Sequence, residues 1–485
     1  MLESFLTIFH FSAFMDLDHA YIRGLLDNRM LSVSDDDSTY SWDHYQLDMV
    51  QFATLVVVLL ICRKLFEGIG NSGLIGYLIG GIIFGPHALN LVPEYMIESI
   101  TILGRLGVCL LILEAGLHMK IDKVFADFNL AAGLTISSMV VPIGLTMICA
   151  IMVSLGDSND PTIGFAAGSC FAATSVGMSA KILADFNQAD SDLGTMIITV
   201  AMIDDVLSLV LLSVVTQLAG DIEAIKIIMP IIGSIVFTFV LGYYAVKVNP
   251  MILDWLENRA YDEMSQDAKE LQAAQRSEAS TPYPSSTSKS SVHSEAILLE
   301  EVEDADKRFE RYGIYLLTLT AMVMGMITAT LSTELLGIFL AGVAFSGEPA
   351  SQRWWHSRAE KVTSIGCMFF FCSLGFEVPL SDMLTGRTFG LGLLFVLPAV
   401  IGKTIPATMI FKCEPKGAVV GQGLACWGEI AFLMAKISYD NGVFGEVDGS
   451  SEDKDKATEV LSVLIWALLL GTALMPVVFP WVRIM

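Results

Sequence analysis

Two adjacent aspartates, Asp204 and Asp205, lie in the middle of an apolar segment that runs from residue 195 to residue 212. Each ionised side chain at the centre of a membrane-spanning helix costs roughly 2.5–3.5 kcal/mol on insertion scales, so two together indicate a function. Carboxylates in that setting bind cations or carry protons. The preceding apolar segment contains Thr174 and Ser175 among glycines. Such a cluster lets a helix unwind and offer carbonyl and hydroxyl oxygens to a small monovalent cation, although the two hydroxyls alone are more typical of helix packing.

The composition indicates which kind of protein surrounds these residues. The chain has 485 residues, of which 54% are hydrophobic and 16% charged, with a mean hydropathy of +0.62. Many apolar stretches are long enough to cross a hydrocarbon core of about 30 Å, which predicts an all-α polytopic membrane protein. The eight cysteines lie mostly singly in apolar runs and are predicted to be buried apolar residues rather than metal ligands. A net charge of -24 argues against a nucleic-acid partner.

About thirteen membrane spans are predicted from the apolar stretches and the charges between them. Short loops rich in lysine and arginine alternate with acidic loops along the chain, which predicts an N-terminus outside and a C-terminus in the cytoplasm. The sequence leaves open which membrane holds the protein. The predicted spans lie near residues 47–66, 72–88, 97–117, 128–154, 161–185, 192–218, 223–246, 311–330, 331–347, 360–380, 388–412, 416–440 and 456–483.

Two polar segments stand apart from these spans. Residues 1–46 are predicted to be an extracytoplasmic N-terminal segment; a signal peptide within residues 1–16 is an alternative that Glu3 weakens. Residues 256–310 are Ser-rich and are predicted to form a cytoplasmic loop, disordered or partly helical, that is either a solvated linker or a site of regulatory phosphorylation. This loop separates a first transmembrane half, 47–255, which holds the ion site, from a second half, 311–485.

The two halves share glycine spacings. Residues 74–84 align with residues 335–345, and Gly107 and Gly116 are spaced as Gly366 and Gly375 are. The aligned segments are seven spans apart, and an odd number forces opposite orientations in the bilayer. The pattern predicts an inverted repeat, as in secondary transporters with a site near the middle of the membrane. Small residues that recur for close helix packing are the alternative explanation.

Several motifs together resemble the second monovalent cation:proton antiporter family, in particular its sodium/proton exchangers with paired aspartates. The resemblance covers roughly residues 50–483, and the motifs occur in family order at residues 76–86, 113–117, 173–183, 201–211, 370–375 and 428–429. It implies two broken crossing helices in a core domain that moves against a scaffold domain, through which the protein forms a homodimer. It also implies exchange of Na⁺ or K⁺ for protons by alternating access, of an electrogenic type and without a cofactor.

The resemblance also assigns roles to individual residues. It implies that Asp205 is the main carrier of cation and proton, and that Asp204 pairs with Lys403. A lone lysine within a span independently requires a carboxylate partner, unless it reaches the membrane surface. Where the family commonly has an arginine before Gly428 and Glu429, this chain has Cys426 and Trp427. Glu429 then lacks its expected partner, and it either pairs with Lys403 or is protonated.

Two further titratable residues lie near the predicted cytoplasmic end of one span. His118 stands where the family has a glutamate, and it is either an interfacial structural residue or a group that tunes the pH response. Glu114, one turn inside, is predicted to pack between helices rather than to bind an ion.

Two alternative functions are less well supported by the sequence. Potassium efflux channel-like transporters of the same family usually have Gln-Asp at the pair and a C-terminal nucleotide-binding domain; this chain has Asp-Asp and no glycine-rich dinucleotide fingerprint. An intramembrane aspartyl enzyme needs facing carboxylates from two helices, whereas adjacent residues on one helix diverge by about 100°. The sequence therefore predicts a transporter, not an enzyme.

Overall fold

The computed structural model describes residues 42–68, 73–119, 128–157, 160–185, 188, 191–218, 224–261, 266, 268, 292–330, 332–378, 380–445 and 451–484. Within these ranges the regular structure is helical, as predicted. The helices are α1 Trp42–Gly68, α2 Gly73–Phe84, α3 Glu94–Leu117, α4 Phe128–Met152, α5 Pro161–Ala172, α6 Val176–Asp185, α7 Asp192–Val215, α8 Ala224–Tyr243, α9 Asn249–Tyr261, α10 Val292–Thr328, α11 Glu334–Ser346, α12 Pro349–Arg358, α13 Glu360–Glu377, α14 Gly386–Ile410, α15 Pro415–Leu424, α16 Glu429–Asp440 and α17 Ser451–Ile484.

The lengths and compositions of these helices suit a polytopic membrane protein. Among the described residues, eight helices are long and apolar enough to cross a membrane, and two further pairs pass together but are bent by 61° and 51°. Three shorter apolar helices are 73–84, 228–243 and 334–346. The count of thirteen spans remains a prediction, and the proposed signal peptide lies outside the described residues.

The helices pack in two groups. The first group, which we call the scaffold, contains α1, α2, α3, α10, α11 and α13, and the second, which we call the core, contains α4 to α7 and α14 to α17. Each helix of a group contacts mainly other helices of that group, and α8 contacts both the core helix α7 and the scaffold helix α11. The boundary between scaffold and core is therefore only lightly packed, whereas each group is well packed internally.

Equivalent glycines of the two repeats meet inside the scaffold. A Cβ atom built on Gly107 of α3 would lie 2.1 Å from the carbonyl carbon of Gly366 of α13, which no side chain could tolerate. The alignment pairs α2 with α11 and α3 with α13, and the α2–α13 contact accordingly has a counterpart in the α3–α11 contact. The structure thus supports close helix packing as an explanation of the glycine spacing, and the inverted repeat remains a prediction.

The polar segment 256–310 is described at its two ends, which are residues 256–261 with 266 and 268, and residues 292–310. Residues up to Tyr261 continue α9, and α10 begins at Val292, so of the two alternatives, disordered or partly helical, the described ends of the segment are helical. Lys307 and Glu303 form an i,i+4 ion pair at 2.9 Å on α10, and Phe309 contacts Tyr261 and Trp354 through its ring. An ion pair between successive helical turns and aromatic packing thus stabilise the described ends of a segment whose average polarity is that of a loop. Residues 269–291 lie outside the described residues.

Candidate ion-binding site

Two interrupted helices cross in the middle of the core. The first interruption separates α5 from α6 at residues 173–175, and the second separates α15 from α16 at residues 425–428. The Ser175 N–H donates to the Cys426 carbonyl at 2.7 Å, the Thr174 hydroxyl to the Leu424 carbonyl at 3.0 Å, and the Ser179 hydroxyl to the Gly423 carbonyl at 2.8 Å. Each break therefore satisfies polar groups of the other, which is required where water cannot reach the backbone.

Lys403 of α14 reaches the first break and is completely buried. Its Nζ lies 3.4 Å from Asp204 Oδ2, and both side chains have 0% exposure. The ammonium also donates to Thr174 Oγ1 at 2.8 Å and to the Ala172 carbonyl at the C-terminus of α5. A cation is favoured at a helix C-terminus, because the last carbonyls there carry partial negative charge. All three N–H groups of Lys403 thus have acceptors, and the side chain does not extend to the membrane surface.

Asp205 points in a different direction from Asp204. Its side chain is 7% exposed and lines a cavity of about 460 Å³. Within the described part of the chain it makes no hydrogen bond. Because neighbouring residues on a helix diverge by about 100°, one carboxylate of the pair faces the buried lysine while the other faces the cavity. The two aspartates therefore occupy chemically different environments.

Glu429 is the first residue of α16 and lines the same cavity as Asp205. A glutamate is favoured at this position by the partial positive charge of a helix N-terminus. The Ser175 hydroxyl lies 3.5 Å from Glu429 Oε2. Lys403 contacts Asp204 rather than Glu429, and Trp427, at the position of the family arginine, is buried with 0% exposure. Among the predicted residues, the structure thus brings Asp204, Thr174 and Lys403 together on one side and Asp205, Ser175 and Glu429 on the other.

The outer part of the cavity is lined by polar side chains of the scaffold. Arg63 and Glu67 of α1 form an ion pair there, and Arg63 also donates to the Tyr77 hydroxyl at 3.0 Å. His118 is exposed at the rim, with its Nδ1 2.9 Å from the Glu114 carbonyl. We call this open end of the cavity the cavity face of the protein.

Glu114 is a residue whose position sequence reasoning missed. Glu114 lines the cavity together with Asp205 and Glu429, a position that the prediction of a packing residue rather than an ion ligand did not include. Its apolar neighbours in sequence concealed this role, since the residues that complete the cavity wall come from the other group of helices. The cavity thus has carboxylates on both walls, one wall from the core and one from the scaffold.

Comparison with known proteins agrees with this architecture. A family model described as "Sodium/hydrogen exchanger, transmembrane" matches residues 52–272 and 305–483, which is most of the chain. The chain belongs to the sodium/hydrogen exchanger family. The two matched ranges leave out residues 273–304, so the family core of this exchanger excludes most of the polar segment.

Individual relatives of this exchanger are also antiporters. It is 23% identical to the Na(+)/H(+)-K(+) antiporter GerN of Bacillus cereus over 402 residues, covering 82% of this chain and 89% of that one. It is 32% identical to the high-affinity Na(+)/H(+) antiporter NhaS3 of Synechocystis, over 37% of this chain and 41% of that one. The sodium proton antiporter MjNhaP1 of Methanocaldococcus jannaschii has the same fold, with a TM-score of 0.61 at 14% identity over 90% of this chain and 98% of that one. The exchanger is accordingly a cation/proton transporter and not an enzyme.

Proposed function

We propose that this exchanger moves Na⁺ or K⁺ against protons through Asp205, with Asp204 and Lys403 as a second, coupled titratable pair. The observation that carries the proposal is that the two aspartates lie in different environments. Asp205 faces the cavity without a hydrogen-bond partner among the described residues, while Asp204 faces a buried ammonium group 3.4 Å away. An ionised carboxylate at the end of a water-accessible cavity attracts a cation, and the same carboxylate can take a proton instead.

Competition between cation and proton at one carboxylate produces exchange. A bound cation favours ionised Asp205, and protonation of Asp205 removes the charge that holds the cation. Ser175 lies at the break on the same side as Asp205 and Thr174 on the Asp204 side, and hydroxyl and carbonyl oxygens of this break can complete the shell of a small cation. Asp204 joins the cycle through Lys403, because any change in the protonation of one alters the electrostatic energy of the other. Two titrating carboxylates make a cycle that moves net charge, and we propose electrogenic exchange.

Transport also requires that the site faces the two sides of the membrane in turn. We propose that the core moves against the scaffold, and the light packing along their boundary supports this. The cavity face carries Arg63, His118 and the ends of α1 and α3, which the charge pattern of the loops assigns to the cytoplasm. Dimerisation through the scaffold is expected from the family resemblance.

Replacement of Asp205 tests the proposed function. Asp205→Asn preserves the shape of the side chain and removes the shared binding group, so proton efflux from proteoliposomes on addition of Na⁺ or K⁺ should disappear. Asp205→Glu is the matched control, because it keeps a carboxylate and should retain measurable exchange at a changed cation affinity. Na⁺ and K⁺ are supplied in separate experiments, which identifies the transported ion. Normal exchange by a folded Asp205→Asn protein would refute the assignment.

A further inference from the structure

A chain of alternating charges lies at the end of the protein that is opposite the cavity face. Lys436 of α16 is paired with Glu377, and its Nζ also lies 3.1 Å from Asp440 Oδ1. Asp440 in turn lies 4.0 Å from Arg105 Nη2. The Lys436 side chain is only 5% exposed, so its ammonium depends on these carboxylates rather than on water. We call Arg105, Asp440, Lys436 and Glu377 the far-end ion chain.

The far-end ion chain crosses the boundary between scaffold and core. Glu377 ends α13 and Arg105 lies in α3, and both helices belong to the scaffold. Lys436 and Asp440 lie on α16, the helix of the core whose first residue is Glu429. The two contacts that cross the boundary are therefore Lys436–Glu377 and Arg105–Asp440, whereas Lys436–Asp440 stays within one helix.

The position of the ion chain follows from helix geometry. Glu360 lines the cavity and Glu377 ends the same helix seventeen residues later, which at 1.5 Å per residue is about 25 Å away. Glu429 also lines the cavity, and Lys436 lies two turns further along α16, about 10 Å away. The boundary between scaffold and core is thus open at one end and held by ion pairs at the other.

The pairing pattern makes one of these contacts easy to release. Glu377 Oε2 is buried without a hydrogen-bond partner among the described residues, so the carboxylate is held at Oε1 by Lys436. If the core moves and Glu377 is left behind, Lys436 keeps Asp440 on its own helix. The buried ammonium of Lys436 then keeps a carboxylate, and the released group is Glu377, whose side chain is 29% exposed against 5% for Lys436 and is the one that water reaches more easily.

We propose that the Glu377–Lys436 pair closes the far end while the cavity is open, and that it must break for Asp205 to face the opposite side. Glu377 and Lys436 are in this sense positioning residues for the exchange reaction, and Asp440 is the partner that travels with Lys436. The inference rests on the alternating-access step of the proposed function.

The test compares three variants in vesicles of both orientations. Glu377→Gln weakens the closed far end, so the cation concentration for half-maximal rate should rise at least threefold at the cavity face and fall at the opposite face. Asp440→Asn removes the travelling partner of Lys436 together with the longer Arg105 contact of 4.0 Å across the boundary, so turnover should fall at least threefold. The matched control is Glu459→Gln, which breaks the Arg387–Glu459 pair of 3.1 Å; that pair lies at the same end of the protein but entirely within the core, so neither affinity should move.

Two further measurements keep the outcome unambiguous. Thermal unfolding shows whether each variant is folded, and Glu377→Asp should restore most of the wild-type sidedness because the carboxylate returns. If folded Glu377→Gln has the wild-type cation concentration for half-maximal rate on both faces, and exchange is still lost in Asp205→Asn, the proposed role of the Glu377–Lys436 pair is overturned and the proposed function stays intact. Absence of exchange in the wild-type protein would instead contradict the proposed function itself.

Discussion

The buried pair Lys403–Asp204 allows a prediction about stability. Both side chains are completely buried, and removing one partner of such a pair costs about 3–5 kcal/mol because it leaves an uncompensated charge. With about 2.1 cal/mol/K of unfolding entropy per residue, a chain of 485 residues loses about 1 °C of melting temperature per kcal/mol. Lys403→Met and Asp204→Asn should therefore each melt about 3–5 °C below wild type.

The double variant distinguishes a specific pair from general damage. Replacing both members of a buried pair by neutral side chains is often close to neutral, so Lys403→Met with Asp204→Asn should recover most of the loss. Differential scanning fluorimetry in detergent measures all four proteins. Lys307→Met is the control, because Lys307 is 52% exposed beside Glu303 and its loss should leave the melting temperature unchanged.

The pH dependence of the melting temperature is a second test in the same experiment. In Lys403→Met, acid protonates Asp204 and removes the uncompensated charge, so the deficit in melting temperature should shrink as the pH falls. A double variant that melts lower by the sum of the two single losses, with no dependence on pH, would refute the pairing argument.

Three further predictions concern transport. Glu114→Gln removes a negative charge from the cavity wall and should raise the cation concentration for half-maximal rate about two- to fivefold at the cavity face, as expected for ~0.5–1 kcal/mol of Coulomb energy. Initial rates over a range of Na⁺ concentrations measure this shift, and an unchanged half-saturating concentration would count against the prediction. Deletion of residues 269–291 should preserve exchange, measured by proton efflux, because α9 and α10 remain whole; loss of exchange by a folded protein would contradict this. A membrane potential of 100 mV, imposed with K⁺ and valinomycin, should change the initial rate of exchange, because it contributes ~2.3 kcal/mol per net charge moved. An initial rate that does not depend on this potential would exclude electrogenic exchange.

Much of the site could be predicted from residues whose chemistry conflicts with their surroundings. Asp204, Asp205 and Lys403 are charges in apolar segments, and hydroxyls among glycines indicated the break at residues 173–175. The second break, at residues 425–428, had a weaker signal, because its close approach depends on Gly428, where a Cβ atom would lie 2.5 Å from Ser175. That distance joins two segments about 250 residues apart, and no local pattern records it.

The other differences between the sequence predictions and the structure also arise from contacts between distant segments. Glu114 looks like a packing residue within its own helix, and only the neighbouring core helices make its surroundings a cavity. Average polarity left the segment 256–310 between a disordered and a partly helical prediction, because ion pairs along α10 and the contacts of Phe309 are specific to individual residues. Sequence patterns thus identified groups that are costly to bury, whereas the contacts that determine their use arise from the tertiary fold.

The repeat that brings Gly107 against Gly366 has a consequence for the energetic balance of transport. The same offset that relates these glycines relates Gly116 to Gly375 and, at the ends of the two helices, His118 to Glu377. These aligned positions differ in their surroundings, because one carries a buried ion pair and the other an exposed imidazole. If the core moves against the scaffold as proposed, the preference for one facing depends on the few side chains that differ between the two ends, and substitutions there should shift that preference while the helix packing stays the same.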